Sequence, residues 1–174
     1  SDPKRFFAVP ADTDTLIDVA RLSAETVESF NHTPNMAMLS YSNFGSDEKG
    51  SPEQVHEAVA FMQEQYPDLA IDGEMQVNFA LNKKLRDEKY PFTKLNGKDV
   101  NTLIFPNLSS ANSGYKLIQA MSETEVIGPI QMGLNKPIHF TDVECSVRDI
   151  VNITAYAVID ALVSKRKAID QMIK

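Results

Sequence analysis

Three short stretches bring hydroxyls, amides and free backbone N–H groups together beside a helix start. They are Ser40-Tyr41-Ser42-Asn43-Phe44-Gly45-Ser46, Asn107-Leu108-Ser109-Ser110-Ala111-Asn112, and the loop Gly128–Lys136 with Pro129, Gln131 and Gly133. Polar loops of this kind suit a phosphate-bearing ligand, which backbone amides and a helix N-terminus can hold without many cations. They also occur as plain tight turns, and both readings stand. No Walker run and no GxGxxG is present. Asp149 is the carboxylate best placed to act as a general base, yet Ser146-Val147-Arg148-Asp149 also has the S-x-x-D spacing of a helix cap. Asp72, followed by Gly73, reads as a turn residue that could orient a ligand. His32, His56 and His139 fall on different elements, no two with metal-ligand spacing, and His56 reads as a surface residue in mid-helix. We therefore expect no metal. Cys145 has no evident histidine partner in the sequence and reads as an inert thiol.

The elements that must position these residues alternate between strand-like and helix-like runs. Strands are expected at Arg5–Val9, Met36–Ser40, Leu69–Ile71, Val100–Phe105 and Glu125–Ile127. A helix capped by Asp12 or Thr13 carries Leu16, Val19, Ala20, Ser23, Val27 and Phe30 at close to a 3.6 period. A second starts at Ser51-Pro52-Glu53-Gln54, with Ser51 as cap and Val55, Ala58, Val59 and Met62 on its apolar face. Further helices are expected over Met75–Arg86 and Gly114–Met121, with loops at Asp87–Asp99 and Leu108–Ser113. The fold class that follows is α/β, a mainly parallel open sheet with helices on both faces. In such a sheet ligands collect at the carboxyl ends of strands, where the three loops fall. A long helix over Val147–Ile173 closes the chain, and up to Val163 it is apolar on nearly every side, more than one sheet face can cover.

Composition sets the broad class. The chain has 174 residues, 43% hydrophobic and 24% charged, the balance of a globular domain with one core. A net charge of −7 argues against nucleic acid, whose phosphates require a basic face. No apolar run reaches the roughly 20 residues of a membrane span, and SDPKRFFAVP shows no signal-peptide core. The single cysteine leaves no internal disulfide and fits a cytoplasmic setting.

Four collinear stretches resemble the phosphate acetyltransferase family: AMLSYSNFGS at 37–46, DGEMQVNFAL at 72–81, NTLIFPNLSSANSGYKLIQ at 101–119, and IGPIQMGLNKP at 127–137 with RDIVNITA at 148–155. SYSNFGS, DGEMQ and VNITAYAVIDA look more narrowly like the acetyltransferase-like C-terminal region of hybrid NADP-dependent malic enzymes. The resemblance implies a second α/β domain over 1–145. A C-terminal helix, 146–174, would return to a first domain outside this chain. It implies acetyl-CoA or a related small molecule in a cleft lined by Ser40, Ser42, Asn43, Gln76, Asn112, Gln131, Gly133, Lys136, Asp142 and Asp149. It also implies self-association as a dimer or higher oligomer, and a malic enzyme domain elsewhere in the chain that takes NADP and Mg or Mn. The family's usual A-D-T-x-x-N run near its first strand is replaced here by Phe7-Ala8-Val9-Pro10.

The resemblance also marks a loss. Active transferases follow the Lys-Pro with a Ser-Arg pair that contacts coenzyme A and the reacting groups. Here Asp142 and Val143 stand at those positions, while Asp149 keeps the place of the proposed base. Transfer between anionic partners needs a cation where charge develops, and loss of one such donor costs roughly 100- to 1000-fold in rate. The first expectation is thus a non-catalytic, acetyl-CoA-binding regulatory and oligomerisation domain of a malic enzyme. The alternatives are an active phosphate acetyltransferase and a purely structural dimerisation domain.

Overall fold

The computed structural model describes residues 12–121, 127–134, 136–141 and 143–173, with side chains to residue 166. The expected strand at Arg5–Val9 and the Asp142 position lie outside the described residues, as does most of the run Glu125–Ile127, whose last residue is not in a strand. Two compact units are formed, Ser1–Ile118 and Gln119–Lys174.

The first unit is built on three parallel strands, β1 (Asn35–Leu39), β2 (Ala70–Met75) and β3 (Thr102–Ile104), in the order β2-β1-β3. The central strand, NMAML, is apolar and buried from Met36 to Leu39, as a strand covered on both faces must be. Helices α1 (Thr13–Ser29) and α2 (Ser51–Gln65) join Leu16, Ala20, Ala24, Val55, Ala58, Val59 and Met62 to Met36, Met38, Ile71 and Ile104 in one buried cluster. On the other face Ala37, Leu39, Ala70 and Met75 pack with Ala80 and Leu95. The short helices α3 (Val77–Leu81) and α4 (Lys83–Lys89) and the segment after them supply that second cover.

Local chemistry explains where the elements differ from the sequence reading. Asp12 caps α1, accepting from Thr15 N–H at 2.8 Å. The buried stripe of α1 is Leu16, Ala20 and Ala24, while Phe30 lies beyond the helix end and is exposed. At α2 the cap is Gly50, at φ 72°, and Ser51 is already helical, so the expected serine cap is not formed. The expected turn at Asp72-Gly73 is in fact the middle of β2. The β1–β2 register shifts at Met38/Leu39, and a Cβ on Gly73 would run into the Met38 carbonyl oxygen, so glycine permits the close approach. The expected helix Met75–Arg86 is divided at Asn82, whose side chain accepts from Leu85 N–H at 3.0 Å and starts α4. Helix α5 (Leu108–Met121) begins earlier than expected because Asn107 caps it, accepting from Ser110 N–H at 2.9 Å. Gly114 lies against the ring of Phe105, where a Cβ would come within 2.8 Å.

In the second unit the loop from Ile127 leads to α6 (Val147–Ile173), whose bounds match the sequence reading. Tyr156 is buried, whereas Ile150, Val151, Val158, Ile159 and Leu162 are exposed. Among the described residues no helix is long and apolar enough to cross a membrane.

Candidate functional site

The loop after β1 is the most tightly built of the three. Ser42 is buried, and its hydroxyl reaches Ser46 Oγ at 2.9 Å and accepts from Asp47 N–H at 3.0 Å. Asn43 Oδ1 accepts from Gln76 N–H at 2.8 Å, and Gln76 Nε2 donates to the Tyr41 carbonyl at 2.7 Å. Ser40 N–H donates to the Met75 carbonyl at 2.9 Å. Four of the residues expected to bind ligand, Ser40, Ser42, Asn43 and Gln76, therefore meet at the carboxyl ends of β1 and β2, where a parallel sheet presents its ligand sites. The Tyr41 hydroxyl donates to Asp47 at 2.9 Å, a bond that holds the phenol above its usual range. Asn112 is exposed in the second turn of α5.

Beneath this loop lies an acid that the sequence reading passed over. Glu74, fully buried, accepts through Oε1 from Gly45 N–H at 2.6 Å and from the Ser42 hydroxyl at 3.1 Å. Its signal is an alternation, Asp72-Gly73-Glu74, inside a strand that is otherwise apolar. Asp72 is also buried. It accepts from the Thr93 hydroxyl at 2.6 Å and from Lys94 N–H at 2.8 Å, so it anchors the segment after α4 and is not a turn residue. Arg86, with no exposed surface, donates to the carbonyls of Ala80, Leu95 and Lys98 and fixes the same segment.

In the second unit Gln131 is half-buried, and Gly133 (φ 76°) and Lys136 are exposed. Val143 is 99% exposed. Asp149 forms the reciprocal cap that its spacing allows. Ser146 donates to Asp149 Oδ2 through both N–H (2.8 Å) and Oγ (2.7 Å), and Asp149 N–H donates back to Ser146 Oγ at 3.2 Å. These bonds, the serine hydroxyl's first, hold the Asp149 carboxyl below its ordinary value, which makes it a weaker base. His139, whose side chain is 3% exposed, lies 3.0 Å from Asp160 through Nε2 and stacks edge-on against Tyr156. That contact, which no spacing rule suggested, joins the loop to α6. Among the described residues no three His, Cys, Asp or Glu side chains gather to hold a metal.

A hollow of about 500 Å³ lies elsewhere in the first unit, at the C-terminal ends of α1 and α2, lined by Arg21, Glu28, Met62, Tyr66 and Lys98. None of the residues expected to bind ligand lines it.

A sequence profile described as phosphate acetyl/butaryl transferase matches residues 7–158. The chain belongs to that family. It is 38% identical over 151 residues to an NADP-dependent malic enzyme of Escherichia coli (strain K12), covering 86% of this chain and 20% of that protein. It is 40% identical over 150 residues to a phosphate acetyltransferase of Clostridium acetobutylicum, covering 86% of this chain and 45% of that protein. A solved phosphotransacetylase from Streptococcus pyogenes superposes with a TM-score of 0.81 at 34% identity, over 92% of this chain and 47% of that one. This chain thus spans about a fifth of the malic enzyme relative and under half of the transferases. The α/β class with its parallel open sheet and C-terminal helix is the fold of these neighbours.

Proposed function

We propose that this chain is the acetyltransferase-like regulatory part of an NADP-dependent malic enzyme, and that it binds acetyl-CoA without transferring its acetyl group. The observation that carries the proposal is the exposed Val143 at the position where the family resemblance expects arginine. An aliphatic side chain there offers nothing to the charge that develops in acyl transfer to phosphate. Asp149, at the resembled base position, is engaged by Ser146 and held in its ionised form at a lowered pKa, which favours a capping role over thiol deprotonation. Within the first unit the loop Ser40–Ser46, Gln76 and Asn112 would offer hydrogen bonds to a ligand; within the second, Gln131, Gly133 and Asp142 would offer polar contacts and Lys136 a cation. The malic enzyme domain, with its NADP and divalent metal, would lie in the rest of a longer cytoplasmic chain that self-associates through this domain.

The test uses the full-length protein. Malic activity that changes with acetyl-CoA, without phosphate-dependent release of coenzyme A, is the expected result. Malic activity indifferent to acetyl-CoA would contradict it. A second reading, an active phosphate acetyltransferase, is favoured by the 40% identity to such an enzyme. Acetyl phosphate formation at ordinary enzymatic rates would establish it.

A further inference from the structure

Glu74 has a second oxygen whose surroundings differ from the first. Oε1 is committed to the loop through Gly45 and Ser42, and Ser42 passes that hold to Asp47 N–H and Ser46; Ser46 Oγ in turn accepts from Asn43 N–H at 2.9 Å. One carboxylate oxygen therefore sets the course of the backbone from Asn43 to Asp47. The other, Oε2, is enclosed and has no hydrogen-bond partner. Facing it is Nδ1 of His56, from α2, at 3.4 Å. The imidazole is 66% exposed while the carboxylate is 1% exposed, so the histidine meets both the buried acid and the solvent.

A buried carboxylate without a cation is unfavourable, and a solvent-reachable imidazole can provide one by taking up a proton. The other charged groups on the elements around the pair do not replace it. On α2, Glu53 and Glu57 flank His56, and Glu57 accepts from the Thr13 hydroxyl at 2.8 Å. At the start of α1, Asp12 caps the helix and Asp14 is exposed. After the loop come Asp47, which holds Tyr41, and the exposed Glu48 and Lys49. On β2, Asp72 is held by Thr93 and Lys94, and β1 has no titratable residue.

We propose that His56 and Glu74 form a proton-linked positioning pair for the Ser42–Ser46 loop. Protonated His56 closes on Glu74 Oε2, balances the buried charge and stiffens the loop in its ligand-holding course. Loss of that proton leaves Oε2 facing a neutral group, and the loop loosens. This inference rests on the reading of that loop as part of the ligand site.

The experiment is hydrogen exchange of the full-length protein at about pH 5.5 and about pH 8, resolving the amides of residues 43–47 and corrected for intrinsic rates. Acetyl-CoA affinity is measured in the same samples. The expected result is a roughly 1.5- to fivefold greater protection at the lower pH, about the strength of a partly exposed ion pair, with a parallel change in affinity. His56→Gln and Glu74→Gln, which keeps an acceptor for Gly45, should both flatten the profile. Protection that is flat in the native protein, or unchanged in slope by His56→Gln, overturns the pair. Acetyl-CoA binding with a flat profile overturns the pair while leaving the ligand reading intact. Protection that follows His56 in a protein that does not bind acetyl-CoA upholds the pair as a loop latch and removes the ligand reading instead.

Discussion

The loop after β1 and the loop before α6 were both read as ligand loops, yet they are held in opposite ways. In the first unit, polar residues are buried and answered: Glu74, Asp72 and Arg86 reach the loops they fix through hydrogen bonds to backbone and hydroxyl groups. In the second unit the capping pair Ser146–Asp149 is exposed, and so are Ile150, Val151, Val158, Ile159 and Leu162 of α6, though Tyr156 is buried. Helix α6 presents exposed apolar side chains, whereas the buried polar groups of the sheet and its loops, Glu74 Oε2 apart, are hydrogen-bonded within their own unit. The buried hydrogen bonds of the first unit lie at the carboxyl ends of β1 and β2, whereas the second unit presents exposed apolar side chains on α6.

Substitutions can break this contrast. Arg86→Ala should have the largest effect. It leaves the Ala80, Leu95 and Lys98 carbonyls without their buried donor, and loss of about 3–5 kcal/mol is expected in urea unfolding of this chain. Next come Ile159→Ser and Leu162→Ser together. They should change the stability of this chain by no more than about 0.5 kcal/mol, as exposed positions do. In the full-length protein they should cost about 1.5–3 kcal/mol for each side chain that becomes covered. Equal small effects in both would remove the case for a partner surface. Ser146→Ala should lower helix stability by about 1 kcal/mol, read by circular dichroism.

The smallest effect is a pH dependence. The folded pKa of Asp149 is lowered, so its capping contribution is fully present above the ordinary carboxylate range and disappears as pH falls through the lowered value. Helicity of α6 should be level from neutral pH down to about 5 and fall at more acid pH. Asp149→Asn should reduce that fall; an identical acid profile in the variant would show that the cap is not the titrating contact.

How far these features could be read from sequence depended on where their partners lie along the chain. The bounds of α6 and the Ser146–Asp149 cap were legible because both partners lie within four residues. The α1 cap, legible as Asp12 or Thr13, and the α2 stripe from Val55 to Met62 likewise rest on partners close along the chain. Asp72-Gly73 was misread because a strand that buries two acids looks like a turn until their partners appear. Those partners, Thr93 and Lys94 for Asp72 and Ser42 and Gly45 for Glu74, lie 21 to 32 residues away. Ser42 and Asn43 stood out as polar residues in a loop at a strand end, and Gln76 only through the family resemblance, but nothing in their spacing pointed to the carboxylate and imidazole beneath them. His139–Asp160 is a contact over 21 residues and equally invisible to pattern.

The central claim is binding without transfer. It is tested most directly by calorimetric titration of the full-length protein with acetyl-CoA in phosphate buffer. The account predicts a saturable isotherm whose heat returns to baseline after each injection. Sustained heat from continuing conversion of acetyl-CoA and phosphate, or no binding heat with an unaltered mixture, would contradict it.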